Sequence, residues 1–80
     1  MTIFTSYLVY PDGDTQETEN RLTVNQFVDM NGFPVSLPIA SHKMIIYRVF
    51  KIRRADERGE ETTYYHLELV TGIELVSLAK

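Results

Sequence analysis

The charged residues of the segment 43–54 are Lys43, Arg48, Lys51, Arg53 and Arg54, and no acid interrupts them. If this segment is a strand, alternate residues share a face. Tyr47, Lys51 and Arg53 then stand beside Tyr64 and His66 of the following segment. Cations among aromatic rings can hold phosphates and stack bases, which is the chemistry of a single-stranded nucleic-acid binder. The plainer reading is a solvated strand face paired across to Glu60, Glu61 and Glu68. A net charge of −3 opposes the long-range attraction that dominates nucleic-acid affinity. Nucleic acid is therefore the second reading, not the first.

Other reactive side chains are sparse. His42 and His66 lack the spacing of a metal pair. Glu68, two residues after His66, could share a hydrogen bond with it, but such a pair needs a nucleophile or a pocket to do proton-transfer work. Asp12-Gly13-Asp14 reads as a turn. A calcium loop starting at Asp12 would need a glutamate where Thr23 stands. Cysteine is absent, which excludes disulfides, thiol chemistry and cysteine-based zinc sites. No Gly-rich phosphate loop or nucleophile elbow occurs. A non-enzymatic chain without metal or cofactor is expected.

A third candidate is apolar. Leu37, Ile39, Met44, Ile45, Ile46, Tyr47, Val49, Phe50 and Ile52 are nearly continuous around Pro38 and Lys43. Such a run marks a strand buried on both faces, and one short helix covers only one face of a sheet. A partner protein or a second copy would then cover the rest, through Leu37, Ile39, Ile45 and Tyr47. The alternative is a closed barrel that buries these residues itself.

The elements that must position these groups are mostly strands. Residues branched at Cβ and aromatic residues dominate the apolar set, and both suit a pleated surface. Ile3–Tyr10 is a strand ended by Pro11-Asp12-Gly13. The segment 14–20 has no apolar residue and is expected to be a loop. Thr23 and Gln26 have capping-box spacing, with Leu22 and Phe27 at the staple positions. Gly32 and Pro34 stand where a helix would stop. A helix over 24–31 follows. The competing reading is a strand at 22–28 leading into a Met30-Asn31-Gly32 hairpin.

Val35–Ile39, broken by Pro38, is an irregular edge. Segments 43–54 and 61–71 form a long hairpin around a charged loop at 55–60, and 73–78 is a last strand. Pairing Ile52 with Thr63 is the preferred register, because it buries Ile46, Phe50 and Ile52 and exposes Lys51 and Arg53. A one-residue slip turns Tyr47 and Val49 inward, sets Arg48 opposite Glu68 and flips every face.

With 80 residues, 44% of them hydrophobic, the chain forms a single small domain over 1–80. The expected fold is α+β: a mainly antiparallel sheet with one short helix at about 24–31 and the hairpin 43–71. A small, partly open β-barrel is the alternative. No stretch is apolar enough to span a membrane, and the start lacks the basic region of a signal peptide. The chain is expected to be cytoplasmic, a small protein-interaction module that is either a homo-oligomer or bound to another protein.

Overall fold

The structure is a computed structural model describing residues 2–39 and 44–78. His42 and Lys43 lie outside the described residues. Among the described residues five strands form one sheet: β1 (Ile3–Val9), β2 (Thr15–Thr18), β3 (Phe27–Asp29), β4 (Ile46–Glu57) and β5 (Glu60–Leu69). A short helix, α1 (Gly72–Leu78), follows. The spatial order is β2-β1-β5-β4-β3, and the sheet curls into a half-barrel. All neighbours run antiparallel except β1 and β5, which are parallel. Three of the four pairings are antiparallel, so the α+β reading holds broadly, and the sheet is mixed rather than purely antiparallel.

The parallel pair follows from how the chain crosses. After the β1–β2 hairpin, residues 19–26 pass to the opposite edge of the sheet, burying Leu22 among Leu8, Val28, Val49, Tyr65 and Leu67. That cluster fills the inner face of the half-barrel. The polar segment 15–18, expected as a loop, can be a strand because it lies on the edge beside β1. Side chains close the seam between β2 and the far edge. Tyr10 Oη donates to the Met30 carbonyl at 3.2 Å, Gln16 Nε2 to Asn31 at 3.4 Å, and Asn20 Nδ2 to Gly32 at 3.3 Å.

The helix expected at 24–31 is replaced by a turn and β3. The Thr23 amide does donate to Gln26 Oε1, at 2.9 Å, so half of the capping pair forms. It closes a turn instead of opening a helix, because Asn25 adopts a φ of +73° and its amide bonds the Val49 carbonyl. Val28 then pairs with Tyr47 and is fully buried. The Met30–Gly32 turn is that of the competing hairpin reading. Asp29 Oδ1 accepts from the Asn31 and Phe33 amides, and Gly32 takes a φ of +84°. A Cβ at Gly32 would collide with the Leu8 side chain, so the turn is also the lid over Leu8.

The helix lies instead at 72–78, where a strand was expected. Alternation of Ile73 and Leu75 suggested a strand, but it is Leu75 and Leu78, three apart, that pack beneath the outer face. They meet Ile39, Ile46 and Val70 in a second cluster, while Ile73 stays exposed. Gly72, at a φ of +62°, makes the turn into the helix.

The hairpin spans β4 and β5 around a two-residue Arg58-Gly59 turn, both residues at positive φ, as a tight hairpin of this twist requires. The loop is thus shorter than the 55–60 expected. Its register is neither of the two uniform ones. Tyr47, Arg48 and Val49 pair with Leu69, Glu68 and Leu67, then the ladder shifts at Phe50, and Lys51, Ile52 and Arg53 pair with His66, Tyr65 and Tyr64. Phe50 is a β-bulge. Because of it, both Val49 and Ile52 turn inward although they are three residues apart.

Candidate functional site

Two surfaces gather the residues singled out by sequence. The first is a cleft of about 470 Å³ at the open end of the inner face. Tyr10 and Tyr47 form its floor, their rings edge to face at 5.2 Å between centroids. Burial, then the neighbouring Tyr47 and Asp29, push the Tyr10 hydroxyl above its ordinary pKa, so it stays a neutral donor to Met30. Around this floor stand Met30, Ile45 and Leu69, exposed at 58%, 48% and 49%. Asp12 and Asp14 line the rim, held by the Asp14 amide donating to Asp12 Oδ1 at 3.0 Å. Among the described residues, none that lines the cleft is basic.

The expected partner-binding set divides here. Ile45 and Tyr47 line the cleft. Ile39 is buried in the cluster under α1 and does not line the cleft. Leu37 is half exposed and does not line the cleft. Tyr10, Met30 and Leu69 were missed. Alternation along Leu8–Tyr10 and Leu67–Leu69 places two of them on the inner face, but only the curl of the sheet brings Met30 to them.

The second surface is the outer face of the sheet. Two rows of side chains run across it in register. Tyr7 on β1, Tyr64 on β5 and Arg53 on β4 form one, and Val9, His66 and Lys51 form the next. The Tyr7 and Tyr64 rings stack at 5.8 Å and 21°, and the Arg53 guanidinium lies 4.4 Å from the Tyr64 centroid. Phe50, pushed out by the bulge, sits 6.2 Å from the His66 ring. Lys51, Arg53, Tyr64 and His66 therefore share a face, as expected. Tyr47 does not join them, because it precedes the bulge and points inward. Tyr7 was missed, since its place beside Tyr64 depends on the parallel pairing.

Electrostatics separate the two ends of this face. Arg48 donates through Nε to Glu68 Oε1 at 2.7 Å and also pairs with Glu74 of α1. The hydrogen bond to Glu68 raises its pKa further. Glu68 is thus taken by Arg48 and does not bond His66. The His66 Nε2 is buried without a hydrogen-bond partner. Desolvation, then Arg53 and Lys51, hold the imidazole below its usual pKa, so it is a neutral ring at pH 7. Among the described residues, no group of three or more His, Cys, Asp or Glu converges as metal ligands would. No helix among them is long and apolar enough to cross a membrane.

No curated protein and no solved structure matches the chain. A family model described as "Uncharacterised Treponema protein" matches residues 2–78, and the chain belongs to that family.

Proposed function

We propose that the chain is a small, non-enzymatic protein-interaction module whose cleft beside Ile45 takes an apolar side chain from a basic segment of its partner. The observation that carries this reading is the convergence of Met30, Ile45 and Leu69, each about half exposed, on one cleft floored by two tyrosines. Single exposed apolar residues are ordinary, whereas a contiguous group lining a concavity marks a binding site. Burying one leucine-sized side chain there is worth about 1.5–3 kcal/mol. The acidic rim at Asp12 and Asp14 favours Lys or Arg beside that side chain. A second copy of this chain is one source of such a segment.

Selection from a displayed random-peptide library tests the reading, with Ile45→Asp as the counter-selecting variant. Because Ile45 is half exposed, the variant should keep the circular dichroism of the parent. The expected outcome is a set of peptides with one large apolar residue flanked by Lys or Arg. They should bind the variant at least about tenfold more weakly, the factor that 1.4 kcal/mol represents. Peptides that bind both proteins alike would remove the cleft from the account. Sedimentation of the two proteins separates self-association from a foreign partner.

A further inference from the structure

We infer that the outer face of the sheet binds single-stranded nucleic acid, with bases on the aromatic rows of Tyr7, Tyr64 and His66 and phosphates along β4 at Lys51 and Arg53. This site is on the opposite side of the sheet from the cleft and stands or falls independently of it.

The first argument is the asymmetry of charge across the rows. Both rows end in a cation on β4, Arg53 in one and Lys51 in the other. At the opposite border Tyr7 pairs with Glu17 of β2. A phosphate backbone is therefore drawn to the β4 side and repelled from the β2 side, which leaves the bases directed over the aromatic rings between. Arg48 takes no part, being held by Glu68 and Glu74.

Access supplies the second argument. β3 pairs only with Ile46, Tyr47 and Arg48, so no described strand flanks β4 beyond the bulge, and Lys51 and Arg53 are exposed along an open border. Two residues apart on a strand, they are separated by about 7 Å, a step comparable to that between successive phosphates of an extended single strand.

Aromatic surface is the third. Tyr7 and Tyr64, stacked on each other, and the half-exposed Phe50 beside His66 set four rings in two adjacent rows; Arg53 covers Tyr64, so a base takes the guanidinium's place on that ring as the guanidinium moves to a phosphate. Every base has a π-face, so such a platform is tolerant of sequence. None of these contacts separates ribose from deoxyribose. The footprint is two phosphates, which is how a local site can operate in a chain of net charge −3: short-range contact replaces long-range attraction.

The test is fluorescence anisotropy of labelled oligouridine and oligothymidine, each about ten nucleotides, titrated with the full chain at low salt. Both should bind, and the plot of log affinity against log salt should have a slope of about −1.4 for two phosphates. Arg53→Glu should weaken binding and flatten that slope by at least about 0.7. Tyr64→Ala should weaken binding about tenfold, with Tyr7→Ala as the second stacking variant should the first lose its fold. Ile45→Asp should bind like the parent. No binding at low salt would overturn the proposal, as would an unchanged affinity in Arg53→Glu. Equal binding of a duplex, or of an abasic strand of the same length, would also overturn it, because the bases would then contribute nothing. Peptide binding lost in Arg53→Glu, without any oligonucleotide binding, would assign the face to a protein instead.

Discussion

Leu8 and Tyr7 are neighbours in β1, yet they belong to surfaces built on opposite terms. On the inner face Leu8, Val28, Val49, Tyr65 and Leu67 meet around the plug of Leu22, and the Gly32 turn closes over them. On the outer face the same central strands present Tyr7, Tyr64 and His66 beside Lys51 and Arg53, and among the described residues only the α1 end is covered. Burial thus goes first to one side of the sheet. A chain of this length has too little apolar surface to cover both sides fully, and the side left open holds the aromatic and cationic residues. The inner face is apolar where it is closed, and it opens at the Ile45 cleft.

The largest expected difference comes from substituting the two neighbours separately. Leu8→Ala leaves a cavity in a fully buried position and should cost about 2–5 kcal/mol. Tyr7→Ala removes a stacked pair at a half-buried position and should cost about 1 kcal/mol. Urea denaturation followed by circular dichroism measures both. Equal losses would mean that the outer face is core, and the contrast between the faces would fail.

Gly32→Ala probes the lid. It combines a strained φ with a clash against Leu8 and should cost about 1–3 kcal/mol, read as a lowered urea midpoint with an unchanged slope. A neutral result would mean that the turn shifts freely and does not close the inner face. Arg48→Met asks how much the ion pairs at the α1 end contribute. All three side chains are partly exposed, so the cost should be within about 1 kcal/mol and should shrink as salt rises.

The smallest expected effect is one of pH. His66 in the fold binds its proton more weakly than in the unfolded chain, so the unfolded state carries more protons and stability rises with pH. The contribution is complete above the ordinary histidine value near 6.5 and is lost as pH falls through that value toward the lower one of the fold. Comparing urea midpoints at about pH 7.5 and about pH 5 in the parent and in His66→Phe isolates it. The parent should lose more stability on acidification than the variant. Identical profiles would mean that the ring is solvated and does not lie on the outer face as described.

Much of this arrangement is legible in the chain. The long hairpin follows from alternation along Thr62–Leu69, and that alternation alone puts Tyr64 and His66 on one face. The bulge is not legible, because each end of β4 suggests its own register and only the paired structure accommodates both. For that reason plain alternation places Tyr47 with Lys51 and Arg53, whereas the paired strands turn it inward. The Thr23–Gln26 pair misled because its hydrogen bond suits a turn as well as a helix start. The positive φ at Asn25, fixed by contact with Val49 of a distant strand, decides between them. The parallel β1–β5 pairing, and with it Tyr7, arises from a crossing loop whose path is set by the burial of Leu22. The cleft depends on the curl of the whole sheet, which no local pattern encodes.

The bulge also makes β4 one residue longer than its partner requires. In strand arithmetic, Val49 and Ile52 share a face only because the pair Phe50-Lys51 counts as one step. Removing either member of that pair would leave plain alternation, with Val49 and Ile52 still inward and Arg53 still outward. The same removal from β5, taking out His66, would set Tyr65 and Leu67 on opposite faces, because that strand has no residue to spare. Length can therefore change on one arm of this hairpin and not on the other. The surplus residue is what carries the Phe50 ring to the surface where the two rows of side chains lie.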